Sequence, residues 1–362
     1  MQISKNVKPG AVPARPLDPA HIEFGRMFSP HCFVADYRDG AWTGASIGPL
    51  EDFSLHPGAL ALHYAQEIFE GQKAFVQPDG GIAVFRPEMN ARRFQSSAER
   101  MAMPKVDEQA FVDAVMTLVE VDRAWVPPYP GSLYIRPAMI ATEPHIGVSS
   151  SHEYKFFVMT APAGKYFRNL AAGPGAAGVL VCESMVRASP GGTGNIKTAA
   201  NYAITLQITA QATAAGLNQV LFLDSSPERR VEELGGMNVM FVEDGTLVTP
   251  PLGGTILPGI TRDSVMTLAR EAGLTVREYA YTLDELKDGV KSGKIKEAIA
   301  CGTAAAVTGI QTFCFENGTQ LQVGAQAPGP VTCSLFEQLQ GIQYGRLSDK
   351  FGWLRRVQGA GA

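Results

Sequence analysis

With 362 residues the chain is longer than one hydrophobic core usually organises, so two domains are expected. Its 45% hydrophobic and 18% charged residues exclude a disordered chain and supply a sizeable interior. A net charge of -4, spread over both signs without long runs, argues against nucleic acid or an anionic membrane as partner and points to small molecules.

The five cysteines, Cys32, Cys182, Cys301, Cys314 and Cys333, are odd in number and scattered, with no Cys-x-x-Cys and no histidine spaced to complete a zinc site. No metal is expected, and a reducing, cytoplasmic compartment is. Residues 1–20 lack the apolar centre of a signal peptide, and no apolar run reaches the roughly 18 residues of a membrane span. A soluble, unprocessed chain is expected.

In chain order, the branched and aromatic content of 82–85 and 132–135 predicts strands. Between them a helix is predicted over 87–102, because Met89, Ala91 or Arg92, Phe94, Ala98 and Met101 recur at three- and four-residue steps and Pro104 ends the run. Residues 155–159 read as a buried strand. The stretch 169–178, rich in Gly and Ala and poor in large side chains, is the expected linker between an N-terminal domain over 1–168 and a larger one over 179–362.

Beyond the linker, strands are predicted at 179–181 and 219–223, with a long helix from 197 to about 215 between them. Residues 237–242 and 246–248 predict a hairpin turned at Asp244-Gly245. Helices over 262–272 and 283–289 complete a mixed α/β second domain. No internal repeat or low-complexity tract is visible.

Three features carry chemistry. Lys197 follows the glycine-rich run Gly191-Gly192-Thr193-Gly194-Asn195-Ile196 in a stretch nearly empty of charge. A primary amine there suits capture of an aldehyde such as that of pyridoxal phosphate, whereas on its own the segment would read as an exposed first helical turn. Tyr202, five residues on, could hydrogen-bond the oxygen on the cofactor's ring. The pair Glu232-Glu233 precedes an apolar run, and either carboxylate could keep a proton on a pyridine nitrogen; alternatively both are solvated. The turns at 257–262 and 302–304 each offer Gly and Thr at a helix or turn start, which suits phosphate but also describes an ordinary N-cap.

Taken with F-G-R-M-F at 24–28, L-H-Y-A-Q-E-I-F-E-G-Q-K-A-F at 62–75, F-R-P-E-M-N-A-R-R at 85–93 and L-Y-I-R-P at 133–137, these segments resemble the branched-chain amino acid aminotransferases. These are pyridoxal-phosphate enzymes of fold type IV. The resemblance runs from about residue 24 to 308. It implies a two-domain mixed α/β fold with pyridoxal 5'-phosphate at the domain interface, a homodimer, and transfer of the amino group of leucine, isoleucine or valine to 2-oxoglutarate, giving glutamate.

By the same resemblance Lys197 is the Schiff-base lysine, Glu233 rather than Glu232 the partner of the pyridine nitrogen, and Tyr202 that of the ring oxygen. Arg93, Ile260, Thr261 and Thr303 resemble phosphate-binding positions, and Phe24, Tyr64, Phe69, Tyr134, Arg136 and Tyr166 the substrate pocket. Arg136, with Tyr64 or Tyr134, is the candidate contact for the γ-carboxylate. Two departures stand out. Gly236 replaces a threonine of some relatives, which leaves the substrate carboxylate to backbone N–H groups near Ala304 and Ala305. Ala305 and Thr308 stand where vertebrate relatives carry a redox Cys-x-x-Cys, so thiol regulation of that kind is not expected. D-amino acid aminotransferases and aminodeoxychorismate lyases share the fold and the lysine, but the N-terminal motifs favour the branched-chain enzymes. A noncatalytic α/β binding protein is the alternative of another class.

Overall fold

A computed structural model describes residues 1–7, 11–14, 16–164, 166–167 and 173–358. The chain divides into two compact units.

The first unit contains β1 (Ser4–Lys5), β2 (His31–Arg38), β3 (Ala41–Pro49), α1 (Leu60–Tyr64), β4 (Glu67–Phe69), β5 (Gln72–Val76), β6 (Ile82–Phe85), α2 (Pro87–Arg100), α3 (Glu108–Val121), β7 (Ser132–Ala141) and β8 (Tyr154–Ala163). Among the described residues its sheet runs β1-β3-β2-β8-β7-β5-β6, with β4 also paired to β7. Alternation along β7 divides its side chains between the faces of the sheet. Leu133, Ile135, Met139 and Ala141 join Phe94, Phe111 and Phe156 in the core, while Tyr134, Arg136 and Ala138 take the opposite face.

The predicted helix over 87–102 is α2, started by Pro87 in its first turn. Its buried positions are not the apolar stripe alone. Asn90, Arg93 and Ser97 are buried beside Phe94 and Ala98, so the face that meets the sheet carries three polar side chains.

The second unit contains β9 (Ala176–Cys182), α4 (Ala200–Ala203), α5 (Leu206–Ala214), β10 (Gln219–Leu223), β11 (Val231–Leu234), β12 (Asn238–Glu243), β13 (Thr246–Thr249), α6 (Ile260–Glu271), β14 (Thr275–Glu278), α7 (Leu283–Lys291), β15 (Glu297–Gly302), β16 (Ala306–Phe315) and β17 (Gln320–Gln322), followed by α8 (Pro330–Gln343). Its sheet runs β11-β10-β9-β16-β15-β12-β13-β14, with β17 paired to β16. The predicted hairpin is β12 and β13, paired Glu243 to Thr246 across Asp244-Gly245. β9 lies between two parallel neighbours, β10 and β16. One core cluster holds Val179, Val181, Phe241 and Phe313; another, with Cys182 and Phe222, holds Ile208 and Ala212 of α5.

Three boundaries differ from the sequence expectation. Residues 169–172 of the expected linker lie outside the described residues, and 176–178 are the first residues of β9, where small side chains suit a strand with neighbours on both sides. Lys197–Ala199 belongs to the first unit, and the expected single helix from 197 to 215 becomes α4 and α5. The cause is backbone pairing: Thr198 bridges Ile68, and the Phe69 N–H donates to the Lys197 carbonyl at 3.0 Å, which holds both residues extended and delays the helix to Ala200. The chain from Ile342 onward also belongs to the first unit, where β18 (Leu354–Arg356) adds to the free edge of β6. Among the described residues no helix is long and apolar enough to cross a membrane.

Candidate active site

In the first unit one connected set of side chains occupies the face of the sheet opposite the core. Phe24 meets Tyr134 and Tyr166 edge-on, with ring centroids 4.9 and 5.3 Å apart. The Arg136 guanidinium lies 4.7 Å from the Phe69 ring centre and 5.3 Å from that of Tyr134, and its Nη2 donates to the Tyr134 hydroxyl at 2.9 Å. Lys197 Nζ lies 4.7 Å from the centre of the same Phe69 ring. A continuous path of contacts therefore joins Tyr166, Phe24, Tyr134, Arg136, Phe69 and Lys197. The turn before β5 is fitted closely to it: a Cβ on Gly71 would lie 2.3 Å from the Tyr134 hydroxyl oxygen, so a larger residue there would displace the Tyr134 ring.

Tyr64 does not join this path. It ends α1 with an exposed ring beside His63, and its hydroxyl donates to the Ile146 carbonyl.

The main chain of Lys197 is held from both sides: its N–H donates to Ser97 Oγ at 3.0 Å, and the Thr198 hydroxyl donates to the Glu67 carbonyl at 2.8 Å. Arg93, one turn before Ser97 on the same buried face of α2, donates from Nε and Nη2 to the two oxygens of Glu70 at 2.7 and 2.8 Å. Asn90 Nδ2 donates to Glu70 at 2.7 Å. Such a bidentate pair fixes the plane of the guanidinium.

In the second unit the Glu232-Glu233 pair lies in β11, and both carboxylates are buried. Their surroundings differ. Glu233 accepts from Asn238 Nδ2 at 2.8 Å and from the Leu257 N–H at 3.2 Å, and Arg187 Nη2 forms an ion pair with its Oε1 at 2.7 Å. Glu232 Oε2 is buried with no hydrogen-bond partner, and burial pushes its carboxyl above the usual range, against the opposing pulls of Thr255 and the Arg187 charge. Of the two, Glu233 is surrounded by donors that favour its charged form.

Tyr202 lies in α4, and a Cβ on Gly236 would meet its ring edge at 4.0 Å, so the space a threonine side chain would enter borders this tyrosine. Ile260 and Thr261 are the first two residues of α6, which has no side-chain cap. Its N-cap is Gly259, where a Cβ would come within 2.0 Å of Asn238 Oδ1. The helix thus begins with backbone N–H groups that lack intrahelical partners, close to the side chain that also holds Glu233. Thr303, Ala304 and Ala305 form the turn joining β15 to β16.

Arg187, Glu70, Ser97, Asn201 and Asn238 are parts of these arrangements that sequence reasoning missed. Asn201 orders the glycine-rich turn, donating to the carbonyls of Thr193 and Ile196 at 2.7 and 2.8 Å and accepting from the Thr193 hydroxyl. A signal existed for Arg187: it is the sole charge between Glu183 and Lys197.

All five cysteines are free, and burial pushes the Cys32 and Cys301 thiols up to about 12.

The chain matches the Amino-transferase class IV family over residues 67–313. A branched-chain-amino-acid aminotransferase of Mycolicibacterium smegmatis is 43% identical over 98% of this chain and 97% of its own length. The crystal structure of the Escherichia coli branched-chain amino acid aminotransferase aligns with a TM-score of 0.74 at 27% identity, covering 90% of this chain and 99% of that one. That of Thermobaculum terrenum, solved in its PLP form, aligns with a TM-score of 0.72 at 26% identity over 90% of this chain and 98% of that one.

Proposed function

The chain belongs to the class IV aminotransferases, among the branched-chain-amino-acid enzymes, and from that membership we propose that it transfers the amino group of leucine, isoleucine or valine to 2-oxoglutarate with pyridoxal 5'-phosphate as cofactor. Bound pyridoxal phosphate supplies an aldehyde that takes up amino groups and a ring that accepts the electron pair left at Cα.

The residues present fit that group. The uncapped start of α6, with Ile260 and Thr261, suits a phosphate, and Thr303 of the same unit would contribute; Arg93, whose plane Glu70 sets, is taken as the phosphate arginine from its motif alone. Glu233, buried beside an arginine and two N–H donors, is placed to hold a proton on the ring nitrogen; Glu232, whose carboxyl burial pushes up and whose Oε2 has no hydrogen-bond partner, is less suited to that part. Tyr202 would donate to the ring oxygen. Lys197 would take up the aldehyde in the resting enzyme and move the proton from Cα of the amino acid, with its backbone fixed by Ser97 and β4.

The observation that carries the substrate reading is the aromatic path of the first unit. Phe24, Phe69, Tyr134 and Tyr166 offer apolar walls to a branched side chain, and Arg136, seated on two of those rings, offers a cation to the γ-carboxylate of glutamate or 2-oxoglutarate. Its partner is Tyr134, not Tyr64. Backbone N–H groups near Ala304 and Ala305 would receive the α-carboxylate. One pocket then serves both half-reactions in turn, which gives ping-pong kinetics.

A cytoplasmic homodimer completes the proposal. Leu62 and Tyr64 of α1 are exposed beside the loop that carries Ile146 and Val148, themselves 71% and 89% exposed, an apolar patch that a second copy of the chain would cover. Val148→Asp is expected to shift the protein toward monomer in sedimentation. The function itself is tested by the visible spectrum of the purified protein before and after L-leucine, and by glutamate formed from L-leucine and 2-oxoglutarate. Turnover of D-alanine in preference to L-leucine would overturn the assignment.

A further inference from the structure

We propose that Arg187 is a positioning residue for this reaction: its guanidinium keeps Glu233 ionised and correctly aimed, and through that carboxylate it favours the proton on the cofactor's ring nitrogen. The proposal rests on the pyridoxal-phosphate reading of Glu233.

Arg187 lies in the loop after β9 and is almost fully buried, far from the solvent in which most arginines end. Its Nη2 donates to the Gly194 carbonyl at 3.2 Å and to the Thr255 carbonyl, and lies 2.7 Å from Glu233 Oε1 as its ion-pair partner. Gly194 belongs to the glycine-rich turn that leads into Lys197, and Thr255 to the loop that leads into α6. One side chain thus fixes the carboxylate and both chain segments that flank it in the second unit. A buried arginine is costly unless its charge and hydrogens are used, and here the carboxylate of Glu233 and two carbonyls offset that cost.

A proton shared between a carboxylate and a pyridine nitrogen can rest on either. A cation in direct contact with the carboxylate is nearer to that anion than to any base bonded across it, so it stabilises the anion more than it opposes the proton on the nitrogen. Arg187 therefore biases the proton toward the ring, where it is needed to accept electrons. Asn238 and the Leu257 N–H act in the same sense but carry no net charge.

The alternative is that Arg187 only ties the two loops together, and a double-mutant cycle separates the two roles. Glu233→Gln is made first; normal turnover in that variant would refute the reading of Glu233 before Arg187 is varied. Given a slow Glu233→Gln enzyme, Arg187→Met is expected to lower kcat by about a hundredfold with little change in KM for L-leucine. The absorbance spectrum of the bound cofactor should change as it does in Glu233→Gln, while the equilibrium affinity of the apoprotein for pyridoxal phosphate stays close to that of the unaltered chain. Arg187→Met combined with Glu233→Gln removes both members of the buried pair and should be no slower than Glu233→Gln alone, and Arg187→Lys should recover part of the loss. If Arg187→Met alone does not fold, the double variant and Arg187→Lys supply the comparison. Losses that multiply in the double variant, or a fall in cofactor affinity with kcat preserved in the loaded enzyme, would overturn the proposal in favour of a loop tie.

Discussion

The two units hold their functional side chains by different means. In the second, a buried carboxylate is surrounded by an arginine, an asparagine and a backbone N–H, and a helix start is shaped around the same asparagine, so polar groups hold one another. In the first, four aromatic rings and two cations meet face and edge, and Arg136 donates to the Tyr134 hydroxyl. Dense hydrogen bonding tolerates little displacement, which suits a ring that is the same in every turnover. Aromatic walls accept differing shapes, which suits a pocket that alternates between a branched side chain and a carboxylate.

The largest effect expected is at Lys197. Lys197 is a first-unit residue by its contacts and follows a second-unit turn in sequence. Schiff-base chemistry needs a primary amine at that point, so Lys197→Ala should retain cofactor binding through α6, Arg93 and Glu233 while losing nearly all turnover. Near-normal transamination of L-leucine by this variant would break the assignment of the lysine. Next in size, Glu233→Gln should reduce turnover far more than cofactor occupancy, since it removes charge and leaves shape. The measurement is kcat set against bound cofactor per subunit.

Arg136→Met tests the adaptable half. A charge-assisted contact contributes about 1.5–3 kcal/mol, so losing it should weaken the 2-oxoglutarate and glutamate half-reaction by about one to two orders of magnitude. The leucine half-reaction should change little. Single-turnover spectra with each amino acid separate the outcomes, and equal losses would mean that Arg136, packed on Phe69 and Tyr134, is there to support the rings.

Much of this was legible in the sequence because it lies in short motifs: the helix over 87–102, the Asp-Gly hairpin and the lysine after its glycine-rich turn can each be read locally. What escaped was polar and buried. Asn90, Arg93 and Ser97 lie on the inward face of α2, where apolar periodicity would turn them outward; the motif resemblance named Arg93, and nothing named Ser97 or Glu70, the partner of Arg93. The break between Lys197 and Ala200 escaped for another reason: the segment has helical propensity, and only pairing with β4, more than a hundred residues earlier, holds it extended. The placement of β18 beside β6 is likewise a long-range pairing that no local pattern announces.

The smallest expected effect concerns the neighbour of the residue that matters most. Glu232 shares Arg187's field with Glu233, yet burial dominates and raises its carboxyl pKa, with one oxygen left without a hydrogen-bond partner. A carboxyl that holds its proton more tightly when folded adds stability below its unfolded pKa, near 4.5, and loses that contribution as the pH rises through the folded value. Above that value the unaltered chain carries a poorly solvated charge that a glutamine would not. Glu232→Gln should therefore leave turnover almost unchanged and raise the melting temperature more at pH 8 than at pH 5. Thermal unfolding at the two pH values is the measurement. A gain at pH 5 equal to that at pH 8 would show that Glu232 titrates alike in the folded and unfolded chain, and a loss of turnover matching Glu233→Gln would mean that the two carboxylates of β11 exchange roles, which would erase the distinction drawn between them from their donors.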